Sequence, residues 1–99
     1  MEIKKALNDN ELVVTLKGEI NSNTAPELEE ALKNSLEHIK RLVFDFTELS
    51  YISSAGLRVL LVAKKTIDKN DGQMVVRNPN ESIMDVFEIT GFKNILDFE

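Results

Sequence analysis

Leu49-Ser50-Tyr51-Ile52-Ser53-Ser54-Ala55-Gly56-Leu57-Arg58-Val59-Leu60-Leu61 follows the apolar run Leu42-Val43-Phe44-Asp45-Phe46 and opens a second run whose apolar residues recur at helical spacing. The pattern predicts a strand, a loop over Thr47–Ser53, and a helix from Ser54 to about Asn70. A serine hydroxyl caps a helix by accepting from an N–H two or three residues on, so one of the two serines starts the helix and the other is left free. Ala55 and Gly56 put little side chain around these hydroxyls, although Gly inside a helix costs about 1 kcal/mol relative to Ala, and close access to the site is the expected reason. Ser53 to Leu57 contains no Asp or Glu, so the positive end of the helix is electrostatically vacant and would suit a phosphate.

Upstream, Ile3 to Leu7 reads as a short strand, Asn8-Asp9-Asn10 as a turn, and Glu11 to Lys17 as an alternating strand, which together make a hairpin. Gly18 to Asn23 is expected to be a polar loop. Thr24 then serves as N-cap, Pro26 sits in the first turn, and Glu27 stands at the capping-box position. The helix from Ala25 to about Glu37 buries Leu28, Leu32, Leu36 and Ile39 and turns Glu27, Glu29, Glu30 and Lys33 to solvent. Leu42 to Phe46, nearly all apolar, predicts a central strand covered on both faces.

Downstream, the helix from Ser54 presents Leu57, Leu60, Leu61, Val62, Ala63 and Ile67, and Gly72 follows its polar end. Gln73 to Arg77 is a strand. Asn80 or Ser82 caps a third helix carrying Ile83, Val86, Phe87 and Ile89, which Gly91 ends with Phe92 against it. Ile95 to Phe98 is an optional edge strand. The fold class is therefore α/β in one domain, residues 1–99, with a mixed, mostly parallel sheet in β-β-α-β-α-β-α order. Loops at carboxyl ends of such strands form the binding face, so Asn21, Ser22, Asn23, Ser53 and Ser54 should share one rim.

A net charge of −5 argues against nucleic acid as a partner. With no cysteine there is no disulfide, thiol nucleophile or Cys-based zinc site. No apolar run approaches the ~20 residues that span a bilayer, and the N-terminus has no signal-peptide core, so a cytoplasmic protein with no membrane partner is expected. Neither phosphate-loop nor dinucleotide glycine motif occurs. No cofactor and no metal is expected.

Leu16-Lys17-Gly18-Glu19-Ile20-Asn21, Val43-Phe44-Asp45-Phe46, Tyr51-Ile52-Ser53-Ser54-Ala55-Gly56-Leu57 and Ile89-Thr90-Gly91-Phe92 together resemble the STAS-domain family over essentially the whole chain, specifically its bacterial anti-sigma factor antagonists. The resemblance implies a switch without catalysis: the unmodified antagonist binds an anti-sigma factor that is also a serine kinase, and phosphorylation by that kinase ends the binding. A protein phosphatase resets it. Aligned on Gly56-Leu57, the acceptor is Ser54, with Ser53 as the alternative. The partner surface so implied comprises Asn21, Ser22, Asn23, Thr24, Ser53, Ser54, Ala55, Gly56 and Arg58. The chain departs from the family pattern at Ser53 and Asn21, where Asp is usual, and at Arg58, where a small residue is common.

Other readings remain beside this one. A STAS module can serve as a stressosome-like scaffold or as an accessory subunit of a lipid transporter, and a small flavodoxin-like enzyme is the alternative from another class. A hydrolase triad of Ser54, His38 and Asp45 fails on geometry, because a strand about 20 Å long separates His38 from Ser54. Asp45 reads as structural, a carboxylate accepting bonds from a neighbouring loop.

Overall fold

The computed structural model describes all 99 residues, Met1–Glu99. Strands β1 (Glu2–Asn8) and β2 (Glu11–Ile20) form the antiparallel hairpin, its turn closed by Asp9 at φ +55. Helix α1 (Ala25–Leu32), β3 (Arg41–Ile52), α2 (Ser54–Lys69), β4 (Gln73–Arg77), α3 (Glu81–Thr90) and the short β5 (Asp97–Phe98) follow. The strands lie in the order β1-β2-β3-β4-β5, parallel from β2 onward, with β3 in the centre. The expected element order, the central strand and the optional edge strand are all present.

The layering differs from expectation. Leu12, Val14, Leu16, Leu42, Phe44, Phe46, Met74 and Val76 join the buried residues of all three helices in one core, while Val43 and Val75 are buried outside it. Alternation therefore puts the helices on one face of the sheet. The other face carries lateral rows set by the register: Glu11-Arg41-Gln73, Val13-Val43-Val75 and Thr15-Asp45-Arg77. Arg41 donates to Glu11 Oε2 (2.9 Å), Gln73 Oε1 (3.0 Å) and Glu99 Oε2, and Arg77 donates to Glu99 Oε1 (2.9 Å). The apolar run Leu42–Phe46 reflects a central position with charged neighbours overhead, and no second helical layer covers it.

Two stretches read as loops are strand. Gly18–Ile20 continues β2, and Thr47–Ile52 continues β3, paired as Lys17 with Glu48, Gly18 with Leu49, Glu19 with Tyr51 and Ile20 with Ile52. Between Thr15–Asp45 and Ile20–Ile52, β3 gains one residue on β2 at each of two register shifts. These bulges change the inward period of β3 from two to three, so that Phe46, Leu49 and Ile52 all reach the core.

Helix α1 is shorter than its apolar spacing predicts. It ends at Leu32 instead of Glu37, with Asn34 and His38 in left-handed conformations, so His38 lies in a turn and not at a helix end. Leu36 and Ile39 are buried from turns, whose carbonyls both accept from Asn70 Nδ2 (2.8 and 3.1 Å). In α2, Leu57, Val59, Leu60, Ala63 and Ile67 are buried, Leu61 is half-buried, and Val62 faces solvent, contrary to expectation. Asn80, and not Ser82, caps α3, accepting from Ile83 N–H at 2.8 Å. Ile83 and Phe87 fill the core from it, Val86 is half-buried, and Ile89 is 86% exposed. As expected, Phe92 packs beyond Gly91, its ring 6.4 Å from that of Phe87.

Candidate functional site: the rim at the start of the second helix

Ser53 and Ser54 are adjacent in sequence but differ in environment. Ser53 is extended (φ −94, ψ 176), donates its N–H to Ile20 O at 2.8 Å, and accepts from Gly56 N–H at its Oγ at 3.3 Å. It is the N-cap of α2. Ser54 is the first helical residue, is exposed, and its hydroxyl has no hydrogen-bond partner within the chain. No acidic residue stands in the first turn, so the N–H groups at this helix end face no competing carboxylate.

Gly56 is buried, and its small size serves packing in place of the expected access to the hydroxyls. A Cβ there would stand 2.7 Å from Ile20 Cγ2 and 2.8 Å from Ile52 Cγ1, so the glycine lets the helix start rest directly on the ends of β2 and β3. Ala55 packs half-buried against the same core. The hydroxyl of Ser54 is therefore presented by a rigid corner.

On the β2 side, the side-chain cap expected of Thr24 is absent, and Asn21 instead holds the turn that leads into α1. Asn21 Oδ1 accepts from the N–H groups of Asn23 (2.8 Å) and Thr24 (3.0 Å), and its Nδ2 donates to Glu19 Oε1 (2.8 Å). Thr24 makes no side-chain cap to α1: its Oγ1 donates to Glu19 O and accepts from Asn21 N–H, both at 2.8 Å, while Glu27 makes no return bond. Ser22 and Asn23 are exposed on this turn. The Ile20–Ser53 hydrogen bond ties it to the start of α2, so Asn21 to Thr24 and Ser53 to Arg58 occupy one rim. Arg58, one helical turn past Ser54, is exposed and pairs with no carboxylate. The third connection also reaches this end: Asn80 Nδ2 donates to Leu49 O (3.2 Å) and Ser50 O (3.3 Å).

Asp45 lies on the helix-free face. Thr47 donates to its Oδ1 from both Oγ1 (2.6 Å) and N–H (3.0 Å). The Thr47 hydroxyl bond chiefly holds the carboxyl below its ordinary 3.8, slight burial opposes this, and the Thr47 amide and the Arg77 charge add to it. The donors come from its own strand instead of the expected neighbouring loop, which is reached only through Asn78 Nδ2 to Thr47 Oγ1 (3.1 Å). His38 precedes β3 and Ser54 follows it, so the 12-residue strand separates them and no triad forms. The largest concavity, about 620 Å³, lies between α1 and α2 over Leu32, Leu36, Val59 and Ala63. Ser53, Ser54 and Asn21 do not line it. Sequence reasoning gave no role to Tyr51, which is exposed beside the rim; its signal was an aromatic residue in a stretch read as a loop.

The STAS domain family model matches residues 2–99. BtrV of Bordetella bronchiseptica is 39% identical over 88% of this chain and 76% of its own length, and the anti-sigma-B factor antagonist of Bacillus subtilis is 34% identical over 91% and 83%. Among solved structures, an anti-sigma factor antagonist from Mycobacterium paratuberculosis superimposes with a TM-score of 0.81 at 26% identity, covering 98% of this chain and 83% of that one. Unphosphorylated SpoIIAA superimposes with a TM-score of 0.79 at 15% identity over 99% and 87%, a likeness of fold. A match along nearly the whole chain, on a sheet with three helices on one face and a serine-rich helix start at its rim, leads to one conclusion: the chain belongs to the STAS-domain family.

Proposed function

We propose that this domain is an anti-sigma factor antagonist, a regulatory protein without catalysis, that binds an anti-sigma factor through the rim around Ser54 and releases it when Ser54 is phosphorylated. The observation that carries the reading is the division of labour between the two serines: Ser53 is committed as the cap, while Ser54 stands free and exposed. Relatives named as anti-sigma-B factor antagonists support the partner class, and SpoIIAA, known in unphosphorylated and phosphorylated forms, is a precedent for the switch. No helix is long and apolar enough to cross a membrane, and the proposed place of action is the cytoplasm.

In this mechanism the anti-sigma factor is also the kinase. It delivers the γ-phosphoryl group of ATP to Ser54 Oγ, whose proton leaves as the O–P bond forms and ADP departs. The product carries about −1.5 to −2 charges at a helix N-terminus, which stabilises them, so the fold is retained. Against an acidic or apolar partner surface at ~4 Å, such a charge costs several kcal/mol at an effective dielectric near 20, or roughly 10² or more in affinity. A protein phosphatase restores the hydroxyl.

The test is incubation with the anti-sigma factor kinase of the same organism and ATP, followed by mass spectrometry, together with binding of S54A and S54E. Phosphate on Ser54, retained binding by S54A and weakened binding by S54E are expected, with melting temperatures unchanged. Phosphate on Ser53, or equal affinity of S54E and wild type, overturns the proposal. A domain that binds neither kinase nor anti-sigma factor belongs to another STAS assembly.

A further inference from the structure

Tyr51 is 48% exposed although it lies in the middle of paired strand, with Glu19 as its partner across the ladder. A strand turns every second side chain to the same face, so after the buried Leu49 the next inward position would be residue 51. The register shift between Gly18 and Glu19 inserts one residue of β3, makes Ile52 the inward residue, and turns Tyr51 out. The irregularity is held from both sides. Ser50 Oγ donates to Gly18 O at 2.9 Å, with Gly18 at φ +110 where side chains are disfavoured, and Asn80 Nδ2 donates to Leu49 O and Ser50 O. The fold thus holds its one tyrosine outside the core on a fixed backbone.

Position and company single this residue out. Phe44, Phe46 and Phe87 are buried, and Phe92 and Phe98 pack against the core, so Tyr51 is the only exposed aromatic ring. The other large exposed apolar residues, Leu7, Val62, Ile89 and Ile95, lie on other segments or farther along α2. Tyr51 is three residues from Ser54, at most about 11 Å of extended chain, with Ile52 buried and Ser53 capping in between. A ring and a hydroxyl so placed fall within one footprint of about 800 Å². Aromatic residues on rigid backbone are the usual anchors of protein interfaces, because they bury much area while losing only two torsions.

We infer that the Tyr51 ring is the anchor of the Ser54 rim, seated in an apolar pocket of the anti-sigma partner. The inference rests on the proposed function and adds the residue that supplies the affinity which phosphorylation removes. The phosphate at Ser54 and the ring at Tyr51 then act on one contact, through a link too short and too well fixed to uncouple them.

The experiment is titration calorimetry of the full domain, unphosphorylated, with the anti-sigma factor that the binding test of the proposed function identifies, comparing wild type, Y51A and Y51F, with thermal melts as a check on folding. Y51A is expected to weaken binding by about 30-fold or more at unchanged melting temperature, and Y51F by less than about threefold. Wild-type affinity in Y51A, or equal losses in Y51A and Y51F, overturns the inference while the proposed function stands. Failure of the wild-type domain to bind any anti-sigma factor overturns both.

Discussion

The central strand β3 has two halves that behave differently. From Arg41 to Asp45 it is regular, flanked in strict register by β2 and β4, and its outward polar groups are matched: Arg41 with Glu11, Gln73 and Glu99, Asp45 with Thr47. From Thr47 to Ile52 it pairs with β2 alone, carries two bulges, and leads into a helix start where Ser54 and Arg58 have no partner and Tyr51 stands out to solvent. The regular half uses its polar groups to hold the sheet together. The bulged half delivers the chain to the start of α2, where the polar groups of Ser54 and Arg58 are left without partners.

The contrast can be broken at the contact that supports the bulged half. Gly56→Val would drive a side chain into Ile20 and Ile52, and is expected to lower stability by about 1–3 kcal/mol in denaturant unfolding. A stability equal to wild type would mean that the helix start does not rest on these strands. Next is Asn80→Ala, which removes both the α3 cap and the bonds to the Leu49 and Ser50 carbonyls; a loss of about 1–2 kcal/mol is expected, with raised hydrogen exchange at Glu48 to Ile52.

The two serines sharpen the contrast. Ser53→Ala should cost about 0.5–1 kcal/mol, at the low end for a cap because its bond to Gly56 is long, whereas Ser54→Ala should leave stability within about 0.5 kcal/mol of wild type. Equal melting temperatures for the two variants would refute their separate roles. The smallest effect concerns the regular half and depends on pH. Asp45 is held below its ordinary 3.8, so its contribution is present above that value and fades as pH falls through the lower folded value. Asp45→Asn should therefore have less stability to lose on acidification below about pH 4, as read by urea midpoints across the acid range; a parallel pH profile for variant and wild type would contradict this.

Much of the molecule is legible from neighbouring residues alone. The hairpin follows from alternation in Glu11–Lys17 and turn residues Asn8–Asn10, and α2 follows from a serine cap ahead of Leu57, Leu60, Ala63 and Ile67. The bulged half is not legible, because inward residues at 46, 49 and 52 imitate neither a strand of period two nor a full helix. The end of α1 is hidden for a related reason: Leu36 and Ile39 keep helical spacing after the backbone has left the helix, held there by Asn70 from the far end of α2. The one-sided layering is hidden too, since Val43 and Val75 shelter among neighbouring strands and look like residues under a second layer.

The candidate site divides in the same way. Residue order alone determined that two serines with small neighbours and no carboxylate stand at a helix start after a central strand, because capping chemistry, helix polarity and apolar spacing act over a few residues. Only the tertiary structure decided which serine is spent on the cap, that Gly56 is needed by Ile20 and Ile52, and that Tyr51 is turned out of the core. Those outcomes depend on how β2 and β3 slip past one another, a register that hydrogen bonds between distant segments impose and that no local pattern encodes.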